Sequence, residues 1–424
     1  MKKYYYPARE TWEALCERPS AGDDEEIRGI VADIIENVKR KGDSALEEYS
    51  MRFDGIKLTS LKVSDEEIER SSEAVPSSLK KSIDIAKRNI EKFHAALIHS
   101  DSSVITSIGI KCWRRCVPIE KVGLYIPGGS APLFSTVLML GIPARLAGCR
   151  EIILCSPPDK EGNINPLILY TARLLDIRNI YRIGGAQAIA AMAFGTETIP
   201  GVYKIFGPGN RYVTKAKEIV QEYGVAIDMP AGPSEVLVIA GKEARADYIA
   251  ADLLSQAEHG PDSQTILVTD SADLIDAVES EIQKQLNLLP RKKIAEKAMS
   301  NSMAVLLNSL DDCIRFSNVY APEHLIINTP DCHRLAEKVS SAGSVFIGEF
   351  SCESMGDYAS GPNHTLPTNG YARSFSGLSV DNFLKQIFFQ EVTRDGLATV
   401  GPAVIEMAEA EQLNAHSNAV KIRL

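Results

Sequence analysis

The chain has 424 residues, 45% hydrophobic and 24% charged, with a formal net charge of −10. That length gives two or three domains with ample core, and the acidic balance argues against nucleic acid or an anionic membrane as the main partner. Eight scattered cysteines are too few for a disulfide framework in a chain this long. The opening MKKYYYPARETWEAL has no apolar signal-peptide core. No run approaches the roughly 18 apolar residues of a membrane span, so a soluble, cytoplasmic protein is expected.

Residues 1–21 read as an arm that must dock elsewhere. From Asp23, the positions Ile27, Ile30, Val31, Ile34, Ile35 and Val38 follow helical spacing up to Gly42, and Asp43 is expected to cap a second helix through Tyr49. Ser64-Asp-Glu-Glu67 is a capping box, with Val63 and Ile68 as its staple. Leu79, Ile83, Ala86, Ile90, Phe93 and Leu97 mark one amphipathic helix, which puts His94 and His99 toward solvent. An extended stretch over 108–118 carries Cys112 and Cys116; without a second pair they read as structural.

A βα rhythm then begins. Strands are expected at 123–126, 151–155, 181–183, 204–206, 236–239, 265–268, 304–307, 324–327 and 344–347. Helices separate them, including one at 243–258 and one at 272–285. Spacings of this kind suit βαβ units, hence an α/β fold with parallel sheets in two domains. Past Val380 the pattern reads as helical and charged, with too few apolar residues for its own core, so the tail must pack on another surface, such as a second subunit.

Several groups could carry chemistry. Gln256 and His259 are three apart at a helix end and project side by side, which suits half of a metal site. A polar last turn, where His favours the helix dipole, fits as well. Glycine turns at 126–132 (IPGGSAP), 183–189 (IGGAQAI) and 206–212 (FGPGNRY) follow strands, where an open α/β sheet binds ligands. None matches G-x-G-x-x-G, so tight-turn necessity and a cofactor cleft offering Gln187 and Asn210 stand equally. Glu323 and His324 at a strand start are expected to point to opposite sides and to serve separate proton transfers. Asp357 and His364 lie in a segment of small residues without periodicity, and Glu411 and His416 roughly share a helix side near the end.

Taken together, IDMPAGPSEVLVIA followed by ADLLSQAEH resembles the signature of the histidinol dehydrogenases. GLYIPGGSAPLFSTVLM, IGGAQAIAAMAFGTE, IFGPGN, APEHL and GPNHTLPT resemble that family's other blocks in the same order, across essentially the whole chain. The resemblance implies oxidation of L-histidinol to L-histidine through the aldehyde, the last two steps of histidine biosynthesis, with two NAD+ and one zinc per site. It implies Gln256, His259, Asp357 and His416 as zinc ligands, and Ser234, His364 and Glu411 as substrate contacts beside the ligands and His324. Glu323 and His324 match the catalytic pair; Tyr125, Gln187 and Asn210 match positions around NAD. His324 would act as general base, Glu323 would activate water for the aldehyde step, and zinc would orient the substrate.

The implied fold is a domain-swapped homodimer of two incomplete Rossmann-like domains, whose C-terminal helical segment serves the partner's site. The expected division is an arm at 1–21, a discontinuous zinc and catalytic domain at 22–124 with 236–378, an NAD-side domain at 125–235, and a dimerisation segment at 379–424. Rival readings are a relative acting on another zinc-bound alcohol, a zinc hydrolase, and a silent binding protein.

Overall fold

The computed structural model describes residues 1–18, 24–98, 102–128, 132–230 and 232–424; His99 and part of the first glycine turn lie outside them. Strand β1 (Lys2–Tyr5) opens the chain and is followed by helices Asp24–Lys41, Asp43–Tyr49, Asp65–Arg70 and Ser77–Ala96. Strands β2 (Ser103–Ser107) and β3 (Ile110–Pro118) come next. Then β4 (Lys121–Tyr125), β5 (Glu151–Ser156), β6 (Asn179–Arg182), β7 (Lys204–Phe206) and β8 (Ala226–Ile227) alternate with helices. A second alternating run holds β9 (Glu235–Ala240), β10 (Gln264–Thr269), β11 (Met303–Leu306), β12 (His324–Asn328) and β13 (Ser344–Ile347). Strand β14 (Leu384–Val392) precedes the last two helices, Arg394–Ala410 and Asn414–Lys421.

Two all-parallel sheets result, the α/β arrangement expected from the rhythm. One has the order β6-β5-β4-β7-β8, the other β1-β11-β10-β9-β12-β13. Apart from the appended β1, both share one topology: three strands wind one way, then the order reverses beside the first, at β4/β7 and at β9/β12. That is a Rossmann-type winding without its sixth strand. The central strands are covered on both faces and so are buried along their length rather than alternating; every residue of β9 and β10 is buried.

The N-terminal arm docks on its own chain. β1 pairs in parallel with β11, and Trp12 is buried against Phe316. The helices of residues 24–98 share their core with the five-stranded sheet: Val31, Ile35 and Leu46 pack with Ile189, Val213 and Val220, while Ile83 and Ile90 join Leu138 and Leu154. They therefore pack on the five-stranded sheet.

Three local expectations are corrected. Gly42, not Asp43, occupies the cap position of the second helix, and Asp43 turns its carboxylate to Thr198. His94 is fully buried while Phe93 is 39% exposed, so the apolar stripe rotates by one residue at its end. The tail begins with a strand: β14 runs antiparallel to β3 along its whole length, and with β2 they form a third, three-stranded sheet. The capping box at Ser64 and its buried staple, Val63 and Ile68, form as expected. No helix among the described residues is long and apolar enough to cross a membrane.

Candidate active site

The candidate chemistry gathers at the starts of β9 and β12, the paired strands at the switch point of the six-stranded sheet. Glu235 is the hub. Its backbone N–H donates to Glu323 Oε2 (2.8 Å), and its carbonyl accepts from His324 Nδ1 (3.0 Å). Glu323 and His324 thus converge, with Oε2 3.6 Å from Nδ1, instead of pointing apart. Glu323 precedes the strand, so side-chain alternation does not govern it.

A carbonyl only accepts, so Nδ1 carries the proton and Nε2 presents its lone pair in the neutral ring. Nε2 is buried without a hydrogen-bond partner, 3.5 Å from Asp357 Oδ1. Helix Glu353–Tyr358 supplies both Asp357 and the buried Glu353, whose Oε1 lies 3.7 Å from His324 Nδ1. Glu353 is absent from the sequence-derived set, although its spacing of four from Asp357 puts both on one helical face.

Helix Ala246–Ala257 ends beside this group. Gln256 is fully buried; its amide nitrogen meets Glu353 Oε1 and its oxygen meets Glu235 N at 3.2 Å. His259, one turn on, opens to solvent on one edge. His259, Glu353 and Asp357 place one donor atom each within 4.8 Å of one another, a geometry able to hold a metal ion. His364 lies behind Asp357: its Nδ1–H donates to the Asp357 carbonyl (2.9 Å), and its Nε2 faces the Thr136 hydroxyl (3.2 Å). Ser234, half-buried, immediately precedes β9.

Burial dominates the electrostatics. It pushes Glu323 up to about 8 and Glu353 well above the carboxylate range. It would also depress His324, but the Glu353, Glu323 and Asp357 carboxylates outweigh it and hold the imidazole well above its usual value. Asp357 stays below the ordinary range because contacts with His324, His364 and His259 overcome its desolvation. Burial lowers His259 and His364. Three carboxylates crowd the site beside His259 and His364, whose rings burial keeps toward the neutral form, and such a donor set suits a divalent cation.

A cavity of about 1080 Å³ opens at the C-terminal edge of the five-stranded sheet, lined by Tyr125, Gln187 and Asn210 together with Gly128 after β4 and Gly184 and Gly185 after β6. The Tyr125 hydroxyl accepts from Gly185 N (3.1 Å), and Asn210 caps helix Arg211–Val220 through Tyr212 N and Val213 N. Gly207 sits at φ +124°, where a Cβ would strike the Tyr125 carbonyl. Thr136, on the helix after the first glycine turn, links this side to His364. The first sheet thus offers the C-terminal end of its switch point and the second the N-terminal end.

Two expected site residues stand apart. Glu411 and His416 are exposed, at the end of helix Arg394–Ala410 and on helix Asn414–Lys421, which folds back on it. Neither joins the cluster within one chain.

Residues 17–424 match the histidinol dehydrogenase family. A histidinol dehydrogenase of Bacteroides thetaiotaomicron is 53% identical over 424 residues, covering 100% of this chain and 99% of that protein. One from Vibrio cholerae is 52% identical over 414 residues, covering 97% and 95%. The crystal structure of histidinol dehydrogenase from Elizabethkingia anophelis superposes with a TM-score of 0.97 at 54% identity, covering 100% of this chain and 98% of that one. With that agreement over its length and fold, the chain belongs to the histidinol dehydrogenase family.

Proposed function

We propose that this protein oxidises L-histidinol through L-histidinaldehyde to L-histidine, using NAD+ and one zinc ion per site. The observation that carries the reading is the His324 imidazole, whose proton is fixed on Nδ1 by a backbone carbonyl while Nε2 faces the His259/Asp357 cluster unpartnered. In its neutral form, which a cation held by the neighbouring carboxylates would favour by offsetting their charge, such a ring is built to take a proton from a group held at that cluster.

When bound, zinc would supply a Lewis-acidic centre that orients substrate nitrogens, and NAD+ would accept the hydride. His259 and Asp357, with Gln256 and with His416 from a second copy of the chain, are the proposed ligands. Ser234, His364 and Glu411 are the proposed substrate contacts, and Tyr125, Gln187 and Asn210 the cofactor contacts. His324 Nε2 receives the alcohol proton in the first oxidation. Glu323, anchored through Oε2 to Glu235 N, deprotonates the water that adds to the aldehyde. His324 then takes the proton of the resulting hydrate. A carboxyl near pH 8 is well matched to moving a proton at neutral pH.

A homodimer is proposed with the same logic: the ligand set is complete only if the exposed His416 serves a neighbouring copy. A reduced, cytoplasmic setting suits the buried thiols of Cys16, Cys149, Cys155, Cys313 and Cys332. A hydrolase would leave the large cavity without a ligand.

The test is to incubate the purified protein with histidinol and NAD+, with and without a chelator, and to follow reduced nicotinamide and histidine. Chelator-sensitive formation of both is expected; their absence from metal-replete protein sinks the proposal.

A further inference from the structure

We infer that Arg18, at the end of the N-terminal arm, is a positioning residue for Glu323 and His324 and acts through Glu235. This rests on the proton-transfer roles proposed above for that pair. Arg18 is 13% exposed and grips the Glu235 carboxylate with two parallel bonds, Nε to Oε1 (2.9 Å) and Nη2 to Oε2 (2.8 Å). Its guanidinium stacks 3.6 Å from the centre of the Tyr320 ring. Nη1 donates to the Tyr320 carbonyl (2.7 Å) and Nη2 reaches the Ala321 carbonyl (3.4 Å).

Those contacts join two pieces of backbone that meet at the active site. Glu235 begins β9. Tyr320 ends helix Leu310–Tyr320 and Ala321 caps it, at the turn that delivers Glu323 and His324 to β12; Ala321 is held at φ +55°, an unfavourable conformation for a residue with a side chain. The β9/β12 register pairs His324 with Val236, which sets Glu235 beside Glu323. One guanidinium therefore fixes the side chain whose own N–H holds Glu323 and whose own C=O fixes the His324 tautomer, and also the turn from which both project. Asn369 N completes the clamp on Glu235 Oε1 (3.0 Å).

Without Arg18, Glu235 would be a buried carboxylate lacking its counter-charge, and two carbonyls of a strained turn would lose their donor. The relaxation open to the site is a shift of the Glu235 peptide or of the turn. Either moves a proton-transfer group relative to its substrate, and a displacement of about 1 Å can cost on the order of 100-fold in rate. Lysine cannot replace the fork, because a point ammonium does not bind both carboxylate oxygens and two carbonyls at once.

The experiment compares Arg18→Ala, Arg18→Lys and Glu235→Gln in the zinc-loaded enzyme, with rates expressed per folded protomer and zinc content measured. Arg18→Ala should lower kcat by about 10–100-fold while KM for histidinol and NAD+ stays within about threefold, the signature of a loss felt in the transition state. Added guanidinium ion should restore part of that loss. Arg18→Ala on top of Glu235→Gln should cost less than about threefold more, because the residue it acts through is already altered. Wild-type kcat per folded protomer, with only the melting temperature lowered, would reduce Arg18 to a structural tie; fully multiplicative losses would also overturn the inference. If Arg18→Ala does not fold, Arg18→Lys reads the same quantity: a kcat lowered about tenfold supports the inference, and an unchanged kcat overturns it. Should Glu323→Gln and His324→Asn both keep wild-type kcat, the proton-transfer assignment itself fails, whatever Arg18 does.

Discussion

Both ring nitrogens of His94 are buried without a hydrogen-bond partner, and burial pushes its pKa down to about 4. The unfolded chain binds this proton near pH 6.5. Between pH 6.5 and 4 the unfolded state therefore holds more protons than the folded one, so stability falls as pH falls through that window. The loss amounts to about 3 kcal/mol by pH 4. His94→Leu should flatten this slope, read from denaturant unfolding at pH 7 and pH 4.5; an unchanged slope would place the acid sensitivity elsewhere. At the cluster, Asp357→Asn or His259→Asn should lower bound zinc and activity together, and full zinc retention in both would count against the ligand set. Glu323→Gln should slow histidinaldehyde oxidation by about 10²–10⁴-fold and histidinol oxidation far less; equal slowing would refute the division of labour. The pairing of Gln256 with His259 is legible because they lie three residues apart across the end of helix Ala246–Ala257. Glu353 was not, since a helix of six residues carries no readable period. The Arg18–Glu235 pair joins positions 217 apart, a separation that no local pattern records.

At the level of elements, the turn after β7 is held from beneath by a buried ion pair. Lys217 on helix Arg211–Val220 pairs with Asp228 and donates to the Gly207 carbonyl (2.9 Å), while Asp228 Oδ2 accepts from Gly207 N (2.8 Å). Lys217→Met strands a carboxylate in the core and should destabilise by about 3–5 kcal/mol, whereas Lys217→Met with Asp228→Asn should lose less. Denaturant midpoints of the single and double variants check this; equal losses would mean the charges are not coupled. The parallel strands were legible because burial on both faces makes each a continuous apolar run between glycine turns, as in Val236–Val238–Ile239. Strand β14 was hidden because nearly all its residues face outward, so neither a period of two nor an apolar run appears. The end of helix Ser77–Ala96 misled for a related reason: Phe93 and His94 are both compatible with the stripe, and packing buried the less apolar one.

For the whole molecule, the exposed Glu411 and His416 and the apolar surface around them, with Met407 and Ile422 at 66% and 70% exposure, fit a tail whose function lies on a second copy. Mixing inactive His416→Asn with inactive His324→Asn subunits should restore about a quarter of wild-type activity, because random pairing gives half the dimers one intact site. No recovery would place the tail's function within its own subunit. The duplicated strand order of the two sheets was legible only as a count of βα units, because sequence spacing does not reveal which strands become neighbours.

Strand β1 has a consequence for synthesis. Its only sheet partner among the described residues is β11, and Tyr5 lies opposite Leu306. At about 5–20 residues per second, the ribosome takes roughly 15–60 s to make the intervening stretch of about 300 residues. Through that interval β1 has no sheet to join, and Arg18 has no Glu235 until a further 217 residues have been made. The arm must stay unpaired and soluble, as its Lys2 and Lys3 favour, and dock only after the sheet beneath it has been made. A strand translated well before its partner is thus among the last to reach its native place.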